Sequence, residues 1–158
     1  MNMKITYKNL TYEDIPMLTP IMKCAFDEDT KMHTNLSEDG PPGYGTGELL
    51  EKRLQLLNAV SKVIYADGQM IGEYTILCEN DIFYLDMLFI DPQYASKGIG
   101  TMVWNDIEKE YKDAKIRILE TPEYSIRNHH FYRKCGFQVI KEFVYPDGAK
   151  SLVFEKRL

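Results

Sequence analysis

The segment Phe89-Ile90-Asp91-Pro92-Gln93-Tyr94-Ala95-Ser96-Lys97-Gly98-Ile99-Gly100-Thr101 carries residue types that can hold a phosphate. A strand pattern ends at Ile90, a turn follows, and a helix pattern begins on the glycines. Helix N-termini leave backbone N–H groups unpaired and carry partial positive charge, so they bind phosphates. Gly98 and Gly100 lack a Cβ and allow a diphosphate close to the main chain, and Lys97 adds a cation beside it. Two common phosphate loops do not fit. A G-x-G-x-x-G fingerprint fails at Val103, and a P-loop fails because Lys97 precedes the glycine. Taken alone, the glycine pair also reads as a tight strand-to-helix turn.

A second segment, Asn128-His129-His130-Phe131-Tyr132-Arg133-Lys134-Cys135-Gly136-Phe137, places Asn128 and Tyr132 four apart on one helical face. Phe131 and Cys135 define another face, expected to be buried. By itself Tyr132 reads as a packing residue. Metal binding has little support: His33 has no second ligand at useful spacing, and His129 and His130 point ~100° apart on a helix. Cys24, Cys78 and Cys135 are odd in number and lack C-x-x-C spacing, so reduced thiols and a cytoplasmic setting are expected.

The elements that position these segments follow from periodicity. Thr11 to Asp14 resembles a capping box, with Leu10 and Ile15 as a hydrophobic staple, and Ile15, Leu18, Met22 and Phe26 predict a helix to about Ala25. Asp27 to Gly47 then reads as a long polar loop, the kind that often carries function. Leu49, Leu50, Leu54, Leu57 and Val60 mark a second helix. Val63 to Ala66, Ile71 to Leu77 and Phe83 to Ile90 read as an antiparallel meander, with Asp67-Gly68 as a hairpin turn. A helix from Gly98 with Met102, Val103, Ile107 and Tyr111 leads to a strand at Ile116–Leu119, a parallel crossover. Trp104 and Tyr111 read as packing residues. A helix from Ile126 ends at Gly136, and two strands flank the Tyr145–Gly148 turn. The fold class is α+β with a mixed sheet.

Composition bounds the function. The 158 residues, one domain over 1–158 by length, carry 19 Lys and Arg against 24 Asp and Glu, a net charge of −5. That balance argues against nucleic-acid or anionic-membrane binding. No apolar run approaches the ~20 residues that span a bilayer, and Met1-Asn2-Met3-Lys4 has no signal-peptide layout.

Together, Ile90-Asp91-Pro92-x-Tyr94-x-x-Lys97-Gly98-Ile99-Gly100 and Asn128-x-x-Phe131-Tyr132-x-Lys134-Cys135-Gly136-Phe137 resemble two motifs of the GNAT superfamily of acyl-CoA-dependent N-acetyltransferases. The element order matches over nearly the whole chain. The resemblance implies a mixed, mostly antiparallel sheet of about seven strands with one splayed parallel pair, and about four flanking helices. Amides from Ala95 or Ser96 through Lys97, Gly98, Ile99, Gly100 and Thr101 would hold the diphosphate of acetyl-CoA. Leu88, Phe89 and Ile90 would align its pantetheine arm, with the Leu88 N–H on the thioester carbonyl. Asn128 would contact the same arm, Lys134 or Arg133 the adenosine phosphate, and Tyr132 would protonate the leaving thiolate. Two positions depart from the family pattern: Ala95 stands where Arg or Gln is usual, and Ser125 where Asn is common.

The same resemblance implies a primary amine acceptor that must lose a proton before attack. Asp86 and Glu120, on the two strands flanking the expected splay, are the candidate bases, directly or through water. The acidic residues Asp27, Glu28, Asp29, Glu38 and Asp39 would suit a cationic amine, with Pro41-Pro42-Gly43-Tyr44 presenting an aromatic ring. The final strands are an expected place for a second copy of the chain. Competing readings are a catalytically silent acyl-CoA-binding regulatory domain and a nucleotide-binding protein.

Overall fold

The computed structural model describes residues 3–158, so the reading of Met1 and Asn2 falls outside it. Alternation at the start gives β1 (Ile5–Asn9), and the capping box forms as expected: the Thr11 amide donates to Asp14 Oδ2 at 2.9 Å. α1 (Ile15–His33) runs well beyond Ala25. Its extension carries the Lys23–Asp27 pair one turn apart at 2.6 Å, and the Thr34 hydroxyl closes its end on the Thr30 carbonyl at 2.7 Å. α2 (Glu48–Leu54) is shorter than the leucine spacing predicts. Leu57 is fully exposed, and Val60 belongs to β2 (Ala59–Ala66), which pairs with β3 (Gln69–Glu79).

Asp67 and Gly68 both take positive φ in the β2–β3 hairpin turn, as its type requires. β4 (Ile82–Ile90) completes the meander, and α3 (Ile99–Glu110) crosses over to β5 (Ile116–Pro122). α4 (Ile126–Lys134), β6 (Gln138–Val144) and β7 (Lys150–Arg157) finish the chain. The seven strands form one sheet in the order β1-β2-β3-β4-β5-β7-β6. Among the described residues only β4 and β5 are parallel neighbours. No described helix is long and apolar enough to cross a membrane.

Two apolar layers sandwich the sheet. Ile64, Ile76, Phe83, Leu85, Val103, Trp104 and Phe137 form one. Leu18, Met22, Leu50, Val63, Met87 and Phe89 form the other, beneath α1 and α2. In β4 the odd residues change layer between Leu85 and Met87. The cause is a bulge: Thr75 pairs with Met87 and Ile76 with Leu85, leaving Asp86 unopposed. The first layer is braced by buried Arg117, whose Nη1 donates to Glu108 at 2.5 Å while Lys156 holds the same carboxylate at 3.0 Å.

Gly72 lies opposite Ile90, and a Cβ there would stand 2.1 Å from the Phe89 carbonyl oxygen. No side chain fits without moving β4. Gly72→Ala should therefore destabilise the fold by about 2–3 kcal/mol in urea denaturation; a loss under ~0.5 kcal/mol would show that β3 and β4 separate freely at this point.

Candidate active site

The site starts from a failure of pairing. β4 and β5 are in register from Ile82–Ile116 to Leu85–Leu119 and no further. Beyond that, β4 stays with β3 to Ile90 and β5 stays with β7 to Pro122, so the parallel pair opens into a wedge. The bulge at Asp86 sits where the wedge begins. Asp86 is exposed as a residue while its side chain is only 21% exposed, so its main chain faces solvent. An open strand edge of this kind can accept an extended ligand as an added strand.

The wedge leads to the turn before α3. Ser96 and Gly98 have φ of 61° and 76°, and Gly98 is the N-cap of α3 with no side-chain cap bond. A Cβ on Gly98 would meet nothing within 4 Å, so space above the helix N-terminus is open. A diphosphate group fits this cradle on both counts, unpaired amides and room. Gly100 also has a packing role: a Cβ there would press on the Phe131 ring at 3.3 Å, so this glycine lets α3 lie close to α4. Ala95, Ser96, Lys97 and Thr101 are at or near the surface, whereas Ile99 is buried and offers only its main chain. Sequence reasoning missed Arg127, whose Nη2 donates to Ser96 Oγ at 3.2 Å. It brings a cation from α4 to the turn where Ala95 supplies none.

On β4, Leu88 and Ile90 turn toward the α3–α4 layer, whereas the Phe89 side chain is buried beneath α1 against Phe26. Asn128 donates from Nδ2 to Thr121 Oγ1 at 3.3 Å, tying α4 to the end of β5. Lys134 is exposed at the far end of α4. The faces of α4 differ from the spacing argument, for His129 and Tyr132 are its buried residues and Phe131 and Cys135 are half-buried. The Tyr132 ring packs against Phe131, Phe137 and Phe154 and is 7% exposed. Its hydroxyl makes no hydrogen bond among the described residues and is not one of the fully enclosed orphan atoms. Burial, with a smaller contribution from the Cys135 thiol, raises the phenol well above its ordinary pKa. It therefore stays protonated at neutral pH.

Neither expected base is free. Asp86 Oδ2 accepts from Arg53 Nε at the end of α2, and Glu120 accepts the Tyr145 hydroxyl. The acidic segment is also largely self-satisfied. Asp27 and Glu38 both hold Lys23, Asp27 also accepts the Tyr44 hydroxyl at 2.6 Å, and Asp29 accepts Ser125 Oγ at 2.6 Å. One carboxyl escaped sequence reasoning. Glu73 on β3 is wholly buried, and burial above all pushes it up to about 8, the Asp86 charge adding and the Thr75 hydrogen bond opposing.

This architecture, a meander feeding a parted parallel pair whose mouth is a helix N-terminus, is that of an acyltransferase fold. Residues 58–139 match the family model described as the Acetyltransferase (GNAT) domain, and the chain belongs to that family. It is 33% identical over 107 residues to YrkN, a Bacillus subtilis protein of uncharacterised function, covering 66% of this chain and 57% of that protein. The chain thus spans little more than half the length of that relative. PaiA N-acetyltransferase from Thermoplasma acidophilum, solved with coenzyme A, superposes with a TM-score of 0.74 at 19% identity, covering 99% of this chain and all of that one. The ribosomal-protein-S18-alanine N-acetyltransferase of Escherichia coli gives 0.73 at 15%, covering 98% and 94%. At those identities the likeness is one of fold.

The Glu73 environment has a pH signature. The folded state keeps a proton that the unfolded chain releases near 4.5, so stability falls as pH rises from there to about 8 and then levels. Glu73→Gln carries no such penalty. Its thermal midpoint relative to the parent should climb across that window, measured by scanning calorimetry at several pH values; two parallel curves would mean that Glu73 is not the protonated group.

Proposed function

We propose that the chain transfers an acetyl group from acetyl-CoA to a primary amine. The observation that carries this reading is the wedge itself: a free β4 edge that runs straight to the open, amide-lined turn at Gly98. In this reading amides from Ala95 or Ser96 through Thr101 hold the diphosphate, with Lys97 and Arg127 as nearby cations. Main-chain groups of Leu88, Phe89 and Ile90 align the pantetheine arm, and the Leu88 N–H faces the developing oxyanion. Asn128 steadies the arm from α4, and Lys134 meets the adenosine phosphate. The thioester supplies an activated acyl group on a good leaving thiolate.

Tyr132 gives its proton to that thiolate, a role suited to a phenol that burial keeps protonated. Asp86 or Glu120 receives the proton of the amine, after Arg53 or Tyr145 yields its hold. The engagement of both carboxylates is what a catalytically silent acyl-CoA-binding domain would also retain, so turnover decides between the two. A thiol-release assay with acetyl-CoA and a panel of amines should detect turnover by the parent protein; none with any amine would leave only the binding reading.

Two variants sharpen the test. Tyr132→Phe should lower kcat by about 10²-fold with coenzyme A affinity unchanged. An unaltered kcat would strip Tyr132 of its role. Arg127→Ala should weaken coenzyme A binding roughly tenfold at low salt and less at high salt, followed by calorimetric titration. Equal binding at both salt levels would leave Arg127 as a brace for Ser96.

A further inference from the structure

Glu73 is a wholly buried acidic side chain on the face of the sheet that carries α1 and α2. Its Oε1 has no hydrogen-bond partner, an unusual state for an enclosed carboxyl oxygen. Its Oε2 accepts from Thr75 Oγ1 at 2.5 Å, and Thr75 Oγ1 is 2.8 Å from Ser61 Oγ on β2. Ser61 is half-buried, so this pair of hydroxyls leads from the carboxyl toward the surface. Thr75 pairs with Met87, next to the bulge residue Asp86 on β4, and Asp86 and Arg53 of α2 are the charged groups that act on Glu73. α1 presents the apolar side chains Ile15, Leu18 and Met22 to the same cluster. Asp86 and Arg53 are bonded to each other where the wedge opens.

We propose that Glu73 takes up the proton released by the acceptor amine, with the Asp86–Arg53 pair as the polar link between it and the wedge. The inference rests on the acetyl-transfer reading above. An ammonium acceptor must shed two protons to become an amide. Tyr132 protonates sulfur as the C–N bond forms and the C–S bond breaks, and one amine proton restores the phenol; the other is left over. Asp86, held by Arg53, takes that second proton, and Thr75 beside the bulge hands it to Glu73 in the ionised form that grows as pH approaches 8. The Thr75 and Ser61 hydroxyls return it to solvent after turnover, so every proton is accounted for. Glu73 is a positioning and proton-holding group rather than one that touches the substrate. A carboxyl that titrates just above neutrality is matched to this task, because it changes charge where the reaction runs.

The test is the pH profile of kcat/KM for the intact protein with acetyl-CoA and one accepted amine. The parent should show a limb near 8 below the limb of the amine itself. Glu73→Gln should lose that limb and fall in kcat by roughly tenfold or more. Its coenzyme A affinity should stay at the parent value, and its thermal midpoint at pH 6 should show that the fold persists. Glu73→Asp, which keeps a carboxyl, should restore the limb at reduced amplitude. A Glu73→Gln profile that overlays the parent overturns the inference and leaves acetyl transfer standing. So does a Glu73→Asp profile that matches Glu73→Gln. Absence of turnover by the parent with every amine overturns both.

Discussion

Two parallel strands that stop pairing part-way along their length set the constraint on which the rest of the molecule depends. Main-chain N–H and C=O groups are obligatory hydrogen-bonding groups, and a strand edge left open next to a core needs water or a ligand to satisfy them. The opening here is built in. The bulge at Asp86 adds a residue to β4, turns Met87 and Phe89 to the opposite layer from Phe83 and Leu85, and swings the strand away from β5. Gly72 lets β4 lie against β3 at the wide end, where any side chain would collide with the Phe89 carbonyl. Both devices push the same way.

A wedge in a sheet closes unless its sides are held. β5 is held along its whole length by β7, and its base is tied to α3 and α4 by the Arg117–Glu108–Lys156 cluster, with Lys156 also bonded to the Cys135 carbonyl at 2.7 Å. The far end is spanned by α1, whose extra turns place Asp29 on Ser125 and Thr30 beside Tyr124 at the entrance to α4. Residues that look like an acidic substrate loop are thus a strut. Lys23 offsets part of the charge of Asp27 and Glu38, while the Tyr44 and Ser125 hydroxyls fix Asp27 and Asp29 in place without neutralising them.

What the sequence made legible was local. The glycine turn, the capping box and the hairpin at Asp67-Gly68 are all written within a few residues, and each formed. What it hid depends on partners distant along the chain. Plain alternation would put the Phe89 side chain in the layer of Phe83 and Leu85, and only the bulge sends it to the other. The packing of Gly100 on Phe131 and the bond from Arg127 to Ser96 at 3.2 Å both need α4 in place against the turn, which no local pattern announces. Glu73, between Gly72 and Tyr74, looks like the polar half of an alternating strand. Only a sheet covered on both faces turns it into a buried acid.

Burial acts on two acids at once and with different results. It raises Tyr132 on the α3–α4 side and Glu73 on the α1–α2 side, so both hold protons at neutral pH. The phenol begins from a high pKa and is driven beyond reach of ordinary titration, which keeps it in its proton-bearing form while lowering its acidity. The carboxyl begins low and is lifted only to about 8, where modest changes of field switch its charge. Under the proposal a bound ammonium beside Asp86 supplies such a field, and the proton leaves Glu73 through the Thr75 and Ser61 hydroxyls as the acceptor arrives. In the proposed reaction the wedge then has a donor on the sulfur side and a vacant carboxylate behind the amine side. Acyl transfer needs its protons arranged in that way, and each group owes its value to the layer that covers its own face of the sheet.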